Sequence, residues 1–220
     1  IILTILLSYG VNTYAQQVSI PVKVKSDGKV VVNNLDAGII IDGYHGRELL
    51  ISVDNYQKPP ARAEGLKPVY YHGIDNTGIG LSIEEINKII EISGVSPRTR
   101  HARYTIKIPN DLNLKVASPG FRSRDIQVRN FMREVEVESK SGDINLEDVS
   151  GPVIINNLSG NVFVKFSEVT QDYPISLRAV SGDIDVTLPG DTPANRKMKS
   201  ITGEIDTNFE PEYENKQEKG

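Results

Sequence analysis

The 220 residues carry 25 basic and 29 acidic side chains for a net charge of −4, with no Cys and no Trp. A chain of this size and ordinary charge is long enough for one core or an elongated array, and its slight acidity selects no partner. With no Cys in the sequence, thiol nucleophiles, Cys-based metal sites and a disulfide scaffold are excluded from these residues, and a lipoprotein anchored through a Cys is not expected.

The chain begins with the apolar run Ile1 to Leu7, which fades into Asn12-Thr13-Tyr14-Ala15-Gln16. That is the h-region and small-x-small site of a secretory signal peptide, expected over 1–16 and truncated at its start. A buried N-terminal strand is the alternative. The run is too short to span a bilayer and no later segment approaches 18 apolar residues, so no transmembrane segment is expected in the mature chain. The expectation is an exported protein, in the periplasm, at the cell surface or secreted.

Residues 17–103 read as a β-rich part with an irregular insert. Gly28-Lys29-Val30-Val31-Val32-Asn33-Asn34-Leu35 matches Gly151-Pro152-Val153-Ile154-Ile155-Asn156-Asn157-Leu158 almost position for position. Asn suits the point where a chain leaves a strand, because it tolerates the left-handed region. Pro59-Pro60, Lys67-Pro68 and the turn-rich stretch from Gly73 to Gly80 interrupt regular structure. The segment from Leu81 to Ile92 fits a helix, with Ser82 and Glu85 as a capping box and Ile86, Ile89 and Ile90 on one face. It also fits two short strands meeting at Ile86-Asn87, and the β-rich surroundings favour the strands.

From Arg103 the alternation is that of strands: Tyr104/Ile106/Ile108, then Leu112/Leu114/Val116. One phrase then recurs five times, as Lys140-Ser141-Gly142-Asp143-Ile144, Val149-Ser150-Gly151-Pro152-Val153, Leu158-Ser159-Gly160-Asn161-Val162, Val180-Ser181-Gly182-Asp183-Ile184 and Ile201-Thr202-Gly203-Glu204-Ile205. Each reads as a turn followed by a strand. Gly142, Gly160, Gly182 and Gly203 are 18, 22 and 21 residues apart, a solenoid period. One coil would contain two strand-turn units, and successive coils would add parallel rungs about 4.8 Å apart. A Gly at each corner would supply a positive φ. The expected fold is therefore all-β, a single-stranded β-helix-like β-solenoid over 104–209, followed by a disordered polar tail at 210–220 that protects the final open rung. An antiparallel β-sandwich is the alternative.

The ordered run Ile106-Lys107-Ile108-Pro109, Ser141-Gly142-Asp143-Ile144, Val149-Ser150-Gly151-Pro152-Val153 and Val180-Ser181-Gly182-Asp183-Ile184 through Pro189 resembles the putative adhesin family DUF4097. The resemblance covers Thr105 to Phe209 well and the earlier half loosely. It implies a β-solenoid-like exported protein of the bacterial envelope, and it transfers no catalytic residue.

Catalytic patterns are scarce. His45, His72 and His101 show no ligand spacing, and no nucleophile elbow, phosphate loop or dinucleotide fingerprint occurs. Coils in register would stack Asp143, Asn161, Asp183 and Glu204 in one column and Asn145, Asp185 and Asp206 in a second. The carboxylates of Asp143, Asp183, Asp185, Glu204 and Asp206 could hold Ca²⁺, which takes six to eight oxygens. Otherwise they are a solvated edge. The same carboxylates could form an acid/base pair for a glycan, which needs about 5 to 9 Å between them across a cleft. Nothing in the sequence shows a cleft, so no enzyme and no cofactor beyond that possible cation are expected.

Charge is uneven. The segment 95–133 carries nine basic residues against Asp111 and Asp125, a net +7, whereas 8 basic and 17 acidic residues follow from Glu134, a net −9. The basic part would either balance the acidic part across neighbouring coils or dock an anionic polymer through Arg122 and Arg124. The expected function is non-enzymatic adhesion to an envelope glycan or protein, with a scaffold component binding a bacterial protein as the runner-up and a carbohydrate-active enzyme after it. No nucleic-acid partner is expected.

Overall fold

The computed structural model describes residues 16–23, 27–57, 60–63, 66, 70, 73–120, 124–170, 173–190, 192–193 and 195–208. The expected leader at 1–16, apart from Gln16, which is the first residue of a strand, lies outside these residues, as do Arg122 and the tail at 210–220. The regular part is built as expected, from two strands per coil. β8 (Asn113–Ser118), β10 (Val135–Ser139), β12 (Val153–Ser159) and β14 (Ser176–Ser181) add parallel rungs to one sheet, sheet B. β9 (Ile126–Phe131), β11 (Ile144–Val149), β13 (Val162–Phe166) and β15 (Ile184–Thr187) do the same in the facing sheet A. Every pairing within these coils is parallel, which sets the sandwich alternative aside.

The alternation read from the sequence aims one residue in two into the space between the sheets. In sheet A, Ile126, Ile144, Val162 and Ile184 form one inner column and Val128, Leu146, Val164 and Val186 another. In sheet B, Val116, Val137, Ile155 and Leu177 align. The members on interior rungs are buried, and each contributes roughly 1.5–3 kcal/mol by leaving water. Ile184 and Val186 are 41% and 40% exposed because the array stops beside them.

The N-terminal echo is structural. β2 (Lys29–Asn33) pairs in parallel with β8, and following the register through β10 puts Val30 in line with Val153 and Val32 in line with Ile155. β2 with β3 (Gly38–Tyr44) is thus a coil like the others, with β3 pairing β9. The solenoid extends ahead of residue 104, and the expected boundary between 103 and 104 falls inside β7 (Arg103–Pro109).

The order of coils in space is not their order in the chain. β6 (Ile89–Gly94) and β7 form a coil that pairs in parallel with the outer side of β2 and β3, so the first coil of the sequence lies in the interior of both sheets. Antiparallel strands close this end. β5 (Leu81–Ile86) folds back on β6 through Asn87 and Lys88, both left-handed at φ 51° and 67°, as a two-residue hairpin turn needs. The segment 81–92 is therefore strand, as its surroundings favour. β4 (Glu48–Asp54) and β1 (Gln16–Pro21) cover β7 in sheet A. Tyr104 is buried beneath this cap and its hydroxyl donates to the Ile79 carbonyl. Burial first, then the neighbouring Tyr56 and Asp75, pushes that hydroxyl far above the ordinary tyrosine range.

Two expectations fail at the other end. The fifth phrase, Ile201 to Ile205, forms no strand, and Ile201 is 91% exposed. Its inner positions are poorer in apolar groups than those of the coils before it, with Ser200 and Thr207 where Ala179 and Val186 stand one period earlier. Nor does every repeat Gly serve a positive φ. Gly142, Gly160 and Gly182 do, at 92°, 117° and 117°. Gly151 stands at the opposite corner, where it is needed for close approach: a Cβ there would lie 2.3 Å from the Arg133 carbonyl oxygen.

Candidate functional site

The corner leading from sheet B to sheet A recurs in every coil, and the sequence builds it in two ways. Between β10 and β11, β12 and β13, and β14 and β15 it is the tight Ser-Gly-Asx turn. A Cβ on Gly160 would come within 2.3 Å of the Gly142 carbonyl oxygen, and one on Gly182 equally close to that of Gly160. The glycines therefore stack backbone on backbone.

Beside them runs a ladder of side-chain oxygens. The Asp143 N–H donates to Asp125 Oδ1 at 3.1 Å, the Asn161 N–H to Asp143 Oδ1 at 2.8 Å, and the Asp183 N–H to Asn161 Oδ1 at 3.0 Å. Each Asx satisfies a backbone donor of the next rung that the turn would leave open. On the inner side of the corner Asn157 donates to the carbonyls of both Gly142 and Gly160. The column expected for Asp143, Asn161 and Asp183 is real, and it begins one rung earlier, at Asp125. Glu204 does not join it, because the fifth phrase forms no rung.

The second expected column is corrected as well. Asn145 and Asp185 are separated by Phe163 in the register of β11, β13 and β15, and Asp206 lies outside the sheets. Asp143, Asp183, Asp185, Glu204 and Asp206 thus do not converge, and the described residues contain no group of three His, Asp or Glu placed to hold a metal ion. Arg124 is exposed, directly before the first ladder residue. Arg122, its proposed partner for a polyanion, lies outside the described residues.

The charge imbalance is met partly between rungs. On the outer face of sheet B, Lys115 lies 2.8 Å from Glu136 and 3.3 Å from Glu138, and Lys29 lies 3.0 Å from Glu134 and 3.6 Å from Glu136. Partial burial raises the Glu136 carboxyl, but the hydrogen bond and charge of Lys115, followed by Lys29, outweigh it and hold the group below its usual range. The hydrogen bond to Glu136 in turn raises Lys115. On sheet A the register sets Lys107, Asp42, Arg129, Glu147 and Lys165 side by side with alternating sign, an arrangement that stabilises cross-strand neighbours.

In the three coils nearest the cap the same corner is wider. Longer connections replace the Ser-Gly turn: 34–37 between β2 and β3, the single-turn helix Pro97–His101 between β6 and β7, and, between β8 and β9, a connection of which 119–120 and 124–125 are described. They enclose an open groove of about 530 Å³ lined by Asn34, Asp36, Tyr70, Ser96, Arg100 and Pro119 among others. Asn34 is left-handed at φ 51°, the kind of conformation its Asn-Asn sequence allows. Ser96 caps the helix by accepting the Arg98 N–H, and the Arg98 guanidinium donates to the Tyr70 hydroxyl at 3.2 Å, fixing the phenol at the groove. The site combines one aromatic face, an amide, a carboxylate and a guanidinium. Sequence reading missed it because its residues are up to 86 positions apart. The echo aligning Asn34 with Asn157 was the one signal that placed 34–37 at this corner.

At the opposite corner a second groove of about 500 Å³ is lined by Tyr44, His45, Asn110, Asn130, Asp148 and Glu168 among others. Tyr44 donates to the Glu48 carbonyl at 2.6 Å, and Asn130 to Asp42 at 2.7 Å, so part of this polar lining serves the fold. Asn130 and Asp148 stand at φ 61° and 54° at matching positions of β9 and β11, where β11 bulges against β13.

The fold defines the class, a parallel β-solenoid of two strands per coil with an antiparallel cap. Residues 101–220 match the family described as Toastrack DUF4097, and the chain belongs to that family. Among solved structures it is similar to a putative cell adhesion protein from Clostridium sporogenes, with 12% identity, a TM-score of 0.39, and coverage of 79% of this chain and 99% of that one. A putative adhesin from Bacteroides fragilis is similar at 13% identity and TM-score 0.32, covering 78% and 97%. No curated protein matches the chain. Among the described residues no helix is long and apolar enough to cross a membrane.

Proposed function

We propose that this chain is an exported, non-enzymatic envelope protein that uses its solenoid as a rigid platform and binds an envelope glycan in the wide corner groove beside the cap. The groove is the observation that carries the reading. A phenol ring held by Arg98, with Asp36, Asn34 and Arg100 around it, offers one apolar face and several hydrogen-bonding groups, the composition of a small-ligand site. Strand-to-strand hydrogen bonding from coil to coil keeps those groups at fixed spacing. Export is supported by the apolar run at Ile1 to Leu7 and the small residues Thr13 and Ala15.

The test is a screen of the purified chain against a glycan array and solubilised envelope fractions, repeated with Tyr70→Ala and Asp36→Ala. Saturable glycan binding weakened at least tenfold by each substitution is the expected result. Glycan binding indifferent to both would overturn the groove assignment. Silence on every glycan together with specific capture of one envelope protein would replace adhesion to a glycan with the scaffold reading.

A further inference from the structure

The inner columns of both sheets run out at the same rung. Leu177 and Ala179 of β14 are half-buried, and on β15 Ile184 and Val186 are about two-fifths exposed; Val180, on the outer side of β14, is 71% exposed. The stretch that follows forms no strand, and it holds the exposed apolar residues Met198, Ile201 and Ile205. Its sequence is nonetheless that of a rung. Placing Gly203 over Gly182 sets Met198 over Leu177, Ile201 over Val180, Glu204 over Asp183, Ile205 over Ile184 and Thr207 over Val186. The 21-residue interval lies within the spacing already used, since Gly142 to Gly160 takes 18 and Gly160 to Gly182 takes 22.

We propose that residues 197–207 are a seventh coil of this chain, which adds to the open end by parallel pairing of Lys197–Ile201 with β14 and of Ile205–Thr207 with β15. The occupant of the apolar edge is this segment because the glycine phrase, the apolar positions and the loop length all fit the register of the rungs beneath. The ladder fits too, since each Asx from Asp125 to Asn161 accepts the N–H of the residue one rung on, and Asp183 would do the same for Glu204. The coil docks reversibly, for reasons visible in the same alignment. Ser200 and Thr207 weaken its inner face. Lys199 falls over Arg178, Glu204 over Asp183 and Asp206 over Asp185, three stacks of like charge, which oppose pairing. Salt screens such repulsion, so docking strengthens as ionic strength rises. The proposal is independent of the glycan groove at the other end.

The absence of native Cys gives a direct test. Adjacent rungs about 4.8 Å apart bring paired Cα atoms within disulfide range. Under mild oxidation the V180C/I201C variant should form an intramolecular bridge at least tenfold faster than V180C/I205C, in which the second thiol belongs to the opposite sheet. A free segment would bridge both pairs at similar rates, because the loops differ little in length, and that result would overturn the proposal. A bridge recovered only in covalent dimers would also overturn it and assign the edge to a second copy. In the unsubstituted chain, amide hydrogens of 204–206 should exchange more slowly as salt rises; exchange at random-coil rates regardless of salt would contradict docking.

Discussion

The two halves of the corner column solve the same turn differently. In the C-terminal coils, Gly142, Gly160 and Gly182 stack so closely that a Cβ would meet the carbonyl below, and one Asx oxygen per rung holds the next backbone N–H. In the coils beside the cap, longer connections carry Asn34, Asp36, Ser96 and Arg100 into a groove. Regularity and the proposed recognition are thus divided along one edge: where backbone contact fixes the turn its glycine admits no side chain, and where the connection is longer its side chains can take up other work.

A side chain placed in the tight column should have the largest effect. Gly160→Val, at φ 117° and 2.3 Å from the Gly142 oxygen, should cost about 3 kcal/mol or more in denaturant unfolding. Gly190→Ala, whose Cβ would meet nothing within 4 Å, should change stability by less than about 0.5 kcal/mol. Next comes the contrast along one inner column: Ile144→Ala should cost about 2–4 kcal/mol as a cavity mutation, and Ile184→Ala, at the open end, about 1 kcal/mol or less. A loss at Ile184 equal to that at Ile144 would mean that the seventh coil is closed under the conditions used.

Smaller effects dissect the ladder. Asp143→Ala removes the acceptor of the Asn161 N–H and should cost about 1 kcal/mol, whereas Asp143→Asn retains an acceptor oxygen and should stay within about 0.5 kcal/mol of the parent. Smallest is Glu136→Gln on the outer face of sheet B, at up to about 1 kcal/mol because the pair is partly solvated. Its pH dependence has a definite sign. The folded Glu136 lies below its unfolded value, so its contribution is present above about pH 4.5 and is lost as pH falls through the lowered value. Lys115 lies above its unfolded value, so its contribution is present below about pH 10 and is lost as pH rises through the raised one. The difference between parent and Glu136→Gln should therefore be flat from pH 5 to 9 and narrow below about pH 4.5.

Much of the coil architecture was legible because a solenoid writes its period into the chain. Two strands per coil, the inner residues of β11 to β13, and the match of Val30 with Val153 all follow from alternation and a recurring glycine. The order of coils was not legible. β2 and β6 show the same apolar alternation, and nothing local in either says that β6–β7 lies outside β2–β3 and not between them and β8–β9. The groove was hidden for a related reason: Tyr70 and Asp36 come together only once that order is known. The fifth phrase misled in the opposite direction, since its glycine and isoleucines have the repeat spacing but its inner face carries Ser200 and Thr207.

Amide hydrogen exchange along β2 reads the spatial order of the coils. With β6 on one side and β8 on the other, the N–H groups of Lys29 to Asn33 should be protected as strongly as those of β10, and far more than those of the edge strand β5. Exchange in β2 as fast as in β5 would show that the coils stack in the order of the sequence, and would dismantle both the cap and the groove built on it.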